Sequence, residues 1–202
     1  MINSFIGSGD CSALLAGKNT KTHIDLLTKF VSGLKPYYNA VASPIDALRI
    51  GQILENKYES QRGVEWYSQY KAICKEMNVL KSSLDFAKLE KGKVIDFEEM
   101  KTVNFSDYLS FLSLDDEEKL NHVKKSYKSN YRQVQFQLLC TGLNQATLMF
   151  VPVYSYDDEE NLNRTIKESE IIRINIKRDN EVIELIKERS KPFQELKDFY
   201  SK

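Results

Sequence analysis

The ten residues 94–103, VIDFEEMKTV, restrict the fold of this chain more than any other segment. They are rich in β-branched and aromatic residues, which predicts a β-strand. Successive side chains of a strand point to opposite faces, so Glu99 and Lys101 share a face that begins and ends with apolar residues. A buried charge is costly unless it is paired or bound to a metal ion. The segment therefore predicts either a functional site or a structural Glu–Lys ion pair, and a solvated charged strand is the third alternative.

The opposite face of the same strand carries a mixture of polar and apolar side chains, namely Asp96, Glu98, Met100 and Thr102. Such a mixture is typical of a face with partial exposure to solvent. The alternation of the strand therefore selects Glu99, and not its neighbour Glu98, as the candidate functional carboxylate.

A β-hairpin is predicted around this strand. Residues 79–89 are also strand-like, and the short connection 90–93 contains Gly92, which favours a tight turn. In such a hairpin, Asp85 of the first strand lies about as far from the turn as Glu99 does. The two carboxylates become neighbours if the registers of the strands match, which the sequence does not determine.

The rest of the chain predicts an α/β fold, with one mixed β-sheet flanked by helices. Within 6–17 a loop is expected to lead into a short helix that ends at Gly17. Further helices are expected at 22–31, after the Ser43-Pro44 start signal, at 63–77, 107–129 and 131–143, and from 180 onward, broken or restarted at Pro192; strands are expected at 145–154 and 170–177. We expect one domain over residues 1–202. Residues 1–80 would be mainly helical, 80–178 would form the sheet core and its glutamine-rich helix, and 179–202 would form a C-terminal helix.

Composition excludes several classes of protein. The chain has 202 residues, with 29 Lys and Arg against 29 Asp and Glu, which argues against a polycation that coats nucleic acid. The three cysteines contain no Cys-x-x-Cys pair, so a zinc ribbon or an iron–sulfur cluster is not expected. Neither a membrane span nor the pattern of a signal peptide occurs, so we expect a cytoplasmic protein without a membrane partner.

A third carboxylate, Glu55, follows Gly51 by four residues on a predicted helix, so the two share one helix face. Glycine there allows a backbone or a phosphate to come close. Two or three converging carboxylates repel one another unless a hard cation lies between them. Magnesium in such a site can hold a water nucleophile and shield a phosphodiester, with Lys101 to orient or deprotonate the water or to stabilise the transition state. Taken singly, Glu55 and Asp85 each fit an ordinary surface acid better than a metal ligand, so the prediction depends on their combination.

Four blocks together resemble the PD-(D/E)xK nucleases, and more closely the phage lambda exonuclease/YqaJ-type viral recombinase group. They are the serine-containing helix entry at 6–17, the G-x-x-x-E helix Gly51–Glu55, Asp85 followed by Glu99-Met100-Lys101, and the helix YRQVQFQLLCTG at 131–142. The last block is the most specific. One departure is Leu84, which stands where the group often has a proline. The resemblance implies a restriction-endonuclease-like core.

The resemblance also implies roles for individual residues. The metal ligands would be Asp85, Glu99, Glu55 and the backbone carbonyl of Met100, holding Mg²⁺ or Mn²⁺. Lys101 would serve the attacking water, and Gln133 would form hydrogen bonds near Lys101 or the scissile phosphate. Ser8 and Gln135 would contact DNA phosphates, and a plain helix surface is the alternative for both glutamines.

The function implied is a Mg²⁺-dependent exonuclease that degrades linear double-stranded DNA in phage-type recombination. Its partners would be DNA ends and a single-strand annealing protein. It would form a homo-oligomer such as a trimer, and it would act in the cytoplasm of the host cell. A structure-specific or nicking endonuclease on the same fold is one alternative. A nuclease-fold module that binds DNA or protein without cutting is the other.

Overall fold

The computed structural model describes residues 5–33, 45–154 and 164–201. These residues form six strands and seven α-helices, in the order β1 (Ile6–Gly7), α1 (Cys11–Leu14), α2 (Lys21–Ser32), α3 (Ile45–Gln61), β2 (Trp66–Ile73), β3 (Leu80–Glu90), β4 (Lys93–Asn104), α4 (Phe105–Leu112), α5 (Asp116–Ser126), α6 (Lys128–Thr141), β5 (Gln145–Val153), β6 (Ile172–Lys177) and α7 (Asn180–Tyr200). Short 3-10 turns occupy Ser8–Asp10 and Glu168–Glu170. None of the described helices has the length and apolar character that crossing a membrane requires.

The strands form one mixed sheet in the order β1-β3-β4-β5-β6, with β2 also paired to β3. β3 is antiparallel to β2 and β4, and β5 is antiparallel to β6. The pairs β1–β3 and β4–β5 are parallel. The predicted fold class, a mixed sheet flanked by helices, is confirmed.

The predicted hairpin is formed by β3 and β4. Its last facing pair is Glu90 with Lys93, which leaves a turn of two residues. Lys91 and Gly92 have φ angles of 50° and 75°. Two successive residues with positive φ give the turn type whose twist matches that of the flanking strands. Gly92 accounts for the ease of this conformation, as the sequence indicated.

Both faces of the central strands are covered, and β5 shows this clearly. Leu148 and Phe150 belong to the larger core, which α6 and its neighbouring helices complete. Met149 and Val151 point to the other face and pack in a smaller core with Leu54 of α3. A strand with both faces buried loses the alternation between polar and apolar residues. The candidate site therefore lies between two helical layers.

The prediction of a helix at 63–77 is wrong, because this segment contains strand β2. Its side chains alternate between exposed and less exposed positions from Trp66 to Ile73. The segment is rich in aromatic residues, which favour an extended chain, and it pairs with β3 along almost its whole length. The first 80 residues thus contribute the strands β1 and β2 to the sheet as well as helices.

Two further helix predictions need correction. Residues 107–129 contain the end of α4, all of α5 and the start of α6 instead of one helix. Asp115 caps α5 and forms a capping box with Glu118, which begins a new helix there. Pro192 does not break α7, since the buried face of that helix continues from Ile186 to Phe193 across the proline. The predicted start signal at Ser43-Pro44 lies outside the described residues, and α3 is described from Ile45 onward.

Candidate active site

The candidate site lies where strands β3 and β4 separate. Their ladder ends at the pair Phe86–Glu98, and one residue further the Asp85 carboxylate enters the gap. Its Oδ2 atom accepts a hydrogen bond from the backbone N–H of Met100 at 3.0 Å. A cavity of about 180 Å³ opens there, lined by Gly51, Gln52, Glu55, Asp85, Met100, Lys101 and Thr102. Helix α3 and the hairpin therefore build the cavity together.

The register of the hairpin shifts by one residue at a β-bulge near its tip. The shift falls between two pairs of facing residues, Leu89–Val94 and Lys88–Asp96. The extra residue on β4 moves every later residue of that strand one place along β3. As a result Asp85 falls level with Glu99, whereas an unbroken register from the turn would bring Glu98 to this place.

Lys101 and Glu99 form an ion pair at the inner wall of the site. The Nζ atom of Lys101 lies 2.5 Å from Oε1 of Glu99, whose side chain has no exposed surface. Gln133 and Gln137 of α6 also donate to this carboxylate, at Oε1 and Oε2 respectively. Gln137 also donates to the backbone carbonyl of Ser83 at 3.0 Å. Glu99 is thus held between its own strand and helix α6.

The charges in the site influence one another. Burial, followed by the nearby Asp85, raises the pKa of Glu99 to about 7, against the opposing effect of Lys101. Burial lowers the pKa of Lys101, but the neighbouring Glu99 and Asp85 outweigh this effect, so the pKa is raised. Burial, and then Asp85, raise the pKa of Glu55 as well. The arrangement keeps Lys101 positively charged and places excess negative charge around it.

Two side chains of the site were missed by the sequence analysis as functional candidates. Gln137 follows Gln133 by one helical turn, so helix spacing alone would have paired them on one face. Gln69 of β2 donates a hydrogen bond to Glu55 and approaches Oδ1 of Asp85 at 3.4 Å. No sequence signal pointed to Gln69, because its segment was interpreted as a helix.

The prediction that Glu98 is partly exposed to solvent is wrong. Its side chain is buried and forms an ion pair of 2.5 Å with Arg62, the residue that directly follows α3. Arg173 of β6 lies 3.8 Å away from the same carboxylate. Helix α3 covers this face of the sheet, which the sequence of the strand alone does not reveal. The choice of Glu99 over Glu98 for the cavity is unaffected, since Glu98 points into the contact with α3.

The interpretation of Gln135 as a contact for DNA phosphate is also corrected. Gln135 is fully buried. Its amide donates to the carbonyl of Lys177 and accepts from the N–H of Asp179, both at 2.8 Å. Helix α6 is buried on most of its circumference, so alternate residues of the glutamine run point to different partners within the protein. Gln135 joins α6 to the connection between β6 and α7.

Ser8 lies in a second cavity, of about 390 Å³, which also contains the side chains of Lys29, Lys71 and Lys81. Lys29 is paired with Asp10 at 2.7 Å, and Lys71 donates to Ser83 at 2.6 Å. The helix that follows Ser8 has only four residues, Cys11–Leu14, so its dipole is small. The role of Ser8 in phosphate binding stays a prediction, and the lysines are the stronger source of positive charge.

Among residues 5–33, 45–154 and 164–201, no three His, Cys, Asp or Glu side chains converge closely enough to hold a metal ion by themselves. Glu55 and Asp85 line the cavity, whereas the oxygens of Glu99 are engaged by Lys101 and the two glutamines. The proposed metal ligands, including the carbonyl of Met100, therefore stay predictions.

Solved structures with the same architecture exist. An alkaline exonuclease from Laribacter hongkongensis matches with a TM-score of 0.62 at 13% identity, over 98% of this chain and 89% of its own. A phage-related exonuclease from Haemophilus somnus 129PT matches with a TM-score of 0.60 at 16% identity, over 97% of this chain and 94% of its own. The chain shares their fold. No protein-family model matches the sequence, and no curated protein matches it either.

The two matches cover almost the whole chain, so the resemblance to the exonuclease group is confirmed at the level of the fold. The alkaline exonuclease has also been solved in complex with dAMP, and this structure matches with a TM-score of 0.62 at 14% identity. At such identities the likeness concerns the fold, and the chemistry must be argued from the side chains of this chain.

Proposed function

We propose that this protein is a Mg²⁺-dependent exonuclease that hydrolyses phosphodiester bonds of linear double-stranded DNA. The observation that supports this most is the cavity in which Glu55 and Asp85 from different elements face Lys101. Carboxylates that converge in this way repel one another, and a bound cation would relieve that repulsion. The fold shared with two exonucleases supports the same reaction class.

The donor set fits a hard divalent cation. Mg²⁺ is usually bound by one or two carboxylates together with water and substrate phosphate, not by a complete cage of protein ligands. Glu55 and Asp85 supply two carboxylates at an open cavity, and Met100 lines it beside them. Glu99 would join if its glutamine contacts give way. The bound cation would supply an activated water and neutralise charge on the phosphate.

Lys101 is the candidate catalytic residue for electrostatic stabilisation. Its pKa is raised by the surrounding carboxylates, so the ammonium is charged at neutral pH and does not serve as the resting base. A fixed positive charge near the phosphate stabilises the negative charge that builds up in the transition state. Glu99 holds this ammonium in place, and Gln133 and Gln137 hold Glu99.

The DNA would run from the metal cavity toward the lysine-containing cavity at Ser8. Ser83 connects the two, because it lines the second cavity and its Oγ atom donates to Gln69, which contacts Glu55 and Asp85. Lys71 and Lys81 supply positive charge beside Ser8, as a contact with a phosphate backbone requires. A role in phage-type recombination, an annealing protein as partner, a homo-oligomer and the host cytoplasm extend this proposal through the resemblance.

The proposal is tested on matched DNA substrates. Linear duplex DNA should be degraded in the presence of Mg²⁺ while covalently closed circular DNA stays intact, and EDTA or Lys101→Ala should stop the degradation. Cleavage of the closed circle would favour the structure-specific or nicking endonuclease. Retention of DNA without cleavage, unchanged in Lys101→Ala, would favour a non-cutting module. Phosphorylated and dephosphorylated 5′ ends compared in the same assay give the preference for the DNA end.

A further inference from the structure

Gln69 has an unusual backbone conformation for a residue in the middle of a strand. Its φ angle is 49°, in the left-handed region that favours glycine. Lys91 is the other non-glycine residue with positive φ in the described part of the chain, and the hairpin turn accounts for it. No turn accounts for Gln69, because β2 continues on both sides of it. Backbone strain of this kind persists where the surrounding structure fixes it, and it is common at functional sites.

The strained residue faces Asp85 across the sheet. The flanking pairs of β2 and β3 are Ser68–Phe86 and Tyr70–Leu84, and the position between them joins Gln69 to Asp85. At this place the ladder contains no regular pair, and the Gln69 side chain turns toward the carboxylates instead. The distortion thus occurs opposite the residue that borders the candidate metal cavity.

The amide of Gln69 connects the two carboxylates of the cavity. Its Nε2 atom donates to Oε1 of Glu55 and lies 3.4 Å from Oδ1 of Asp85. Its Oε1 atom accepts a hydrogen bond from Oγ of Ser83 at 2.8 Å, which fixes the orientation of the amide. An NH₂ group has two hydrogens, so one can point to each carboxylate. The contact joins helix α3 to strand β3 through one neutral side chain.

We propose that Gln69 is a positioning residue that holds Glu55 and Asp85 at the spacing a divalent cation needs. This inference rests on the proposed function. Two carboxylates on separate elements would move apart in the metal-free protein, because like charges repel. A neutral amide donates to both without adding a charge that would compete with the cation. Hydrogen bonds that orient metal ligands typically change metal affinity or activity 10–100-fold when they are removed.

Gln69→Asn is the variant that tests the bridging contact most specifically. Asparagine tolerates positive φ and keeps the amide, but it is one methylene shorter and cannot bridge the two carboxylates. Gln69→Gly removes the amide and relieves the backbone, so loss of folding is not expected. Gln194→Asn is the matched control, since Gln194 lies on the remote helix α7 and also forms side-chain hydrogen bonds, with Asn78, Val79 and Asp198.

The test is titration of the metal-free full chain with Mn²⁺ by isothermal calorimetry, together with thermal unfolding without metal. Both Gln69 variants should bind Mn²⁺ about 10–100-fold more weakly than the wild type. Their metal-free melting temperatures should not fall, and Gln194→Asn should bind like the wild type. If both Gln69 variants bound Mn²⁺ with wild-type affinity, this inference would be overturned and the proposed function would stand. The same holds if weaker Mn²⁺ binding accompanied a lower melting temperature of the metal-free variant. A wild-type protein that binds no Mn²⁺ would overturn the proposed function and this inference with it.

Discussion

The ammonium of Lys101 lies 2.5 Å from Oε1 of Glu99, and the carboxylate is completely buried while 28% of the Lys101 side chain is exposed. The lysine therefore reaches the cavity, and the glutamate anchors it from inside the protein. Under the proposed function, Lys101 would contact the DNA and Glu99 would support that contact.

Replacing Lys101 should abolish cleavage without unfolding the protein. Lys101→Met keeps the apolar stem and removes the charge, so the rate on linear duplex DNA should fall by about 10²–10⁴-fold, the size of a catalytic electrostatic or proton-transfer contribution. Lys93→Met, at the exposed start of the same strand, serves as the control and should retain wild-type rates. A Lys101→Met protein that is folded and as fast as the wild type would remove Lys101 from the mechanism.

The raised pKa of Glu99 predicts how stability depends on pH. The pKa is about 7 in the folded protein and 4.5 for the unperturbed group, so the folded state binds the proton more tightly. The metal-free wild type should therefore lose stability as the pH rises from about 4.5 to about 7, by on the order of 1 kcal/mol per pH unit from this group. Glu99→Gln should show a smaller decline than the wild type in urea unfolding, because the raised pKa values of Glu55 and Glu98 contribute the rest. The exposed control Glu195→Gln should keep the full decline. Parallel pH profiles of Glu99→Gln and the wild type would contradict the assignment.

The hairpin shows which parts of the site the sequence was able to predict. The alternation of β4 selected Glu99, and Gly92 indicated the turn, because both are local properties of the chain. The bulge that aligns Asp85 with Glu99 is a matter of register, which hydrophobic patterning does not specify. The sequence therefore left the pairing of the two carboxylates open.

Contacts between distant segments explain the remaining errors. The burial of Glu98 depends on Arg62, and that of Gln135 depends on residues at the end of β6. Neither partner can be recognised from the neighbouring sequence. Gln69 was missed because the aromatic segment around it was interpreted as a helix, and its role depends on tertiary contacts with Glu55 and Asp85.

Gln135 should contribute to stability and not to DNA binding. Gln135→Ala leaves the carbonyl of Lys177 and the N–H of Asp179 without their hydrogen bonds, which should lower the free energy of unfolding by about 1–3 kcal/mol for each group left unsatisfied. Denaturant unfolding measures the loss. Fluorescence anisotropy of the folded variant on duplex DNA should give the wild-type affinity. Weaker DNA binding with unchanged stability would restore the role as a phosphate contact.

The ion pair between Arg62 and Glu98 should hold helix α3 against the sheet. Both side chains are largely buried, so Arg62→Met leaves a buried carboxylate with only the more distant Arg173, and about 3–5 kcal/mol of stability should be lost. The double variant Arg62→Met/Glu98→Gln should recover much of this loss, since the buried charge is gone. A double variant that is no more stable than Arg62→Met would show that packing of the arginine, not its charge, stabilises the helix.

Asp85 gives the most direct test of the candidate active site. Asp85→Asn keeps the shape of the side chain and removes the charge at the cavity, whereas Asp96→Asn makes the same change on β4 away from it. The measurement is the initial rate of degradation of linear duplex DNA at saturating Mg²⁺. Asp85→Asn should be at least about 10²-fold slower than the wild type, within the range of single catalytic contributions, and Asp96→Asn should be unchanged. Wild-type rates for Asp85→Asn would contradict the assignment of this cavity as the active site.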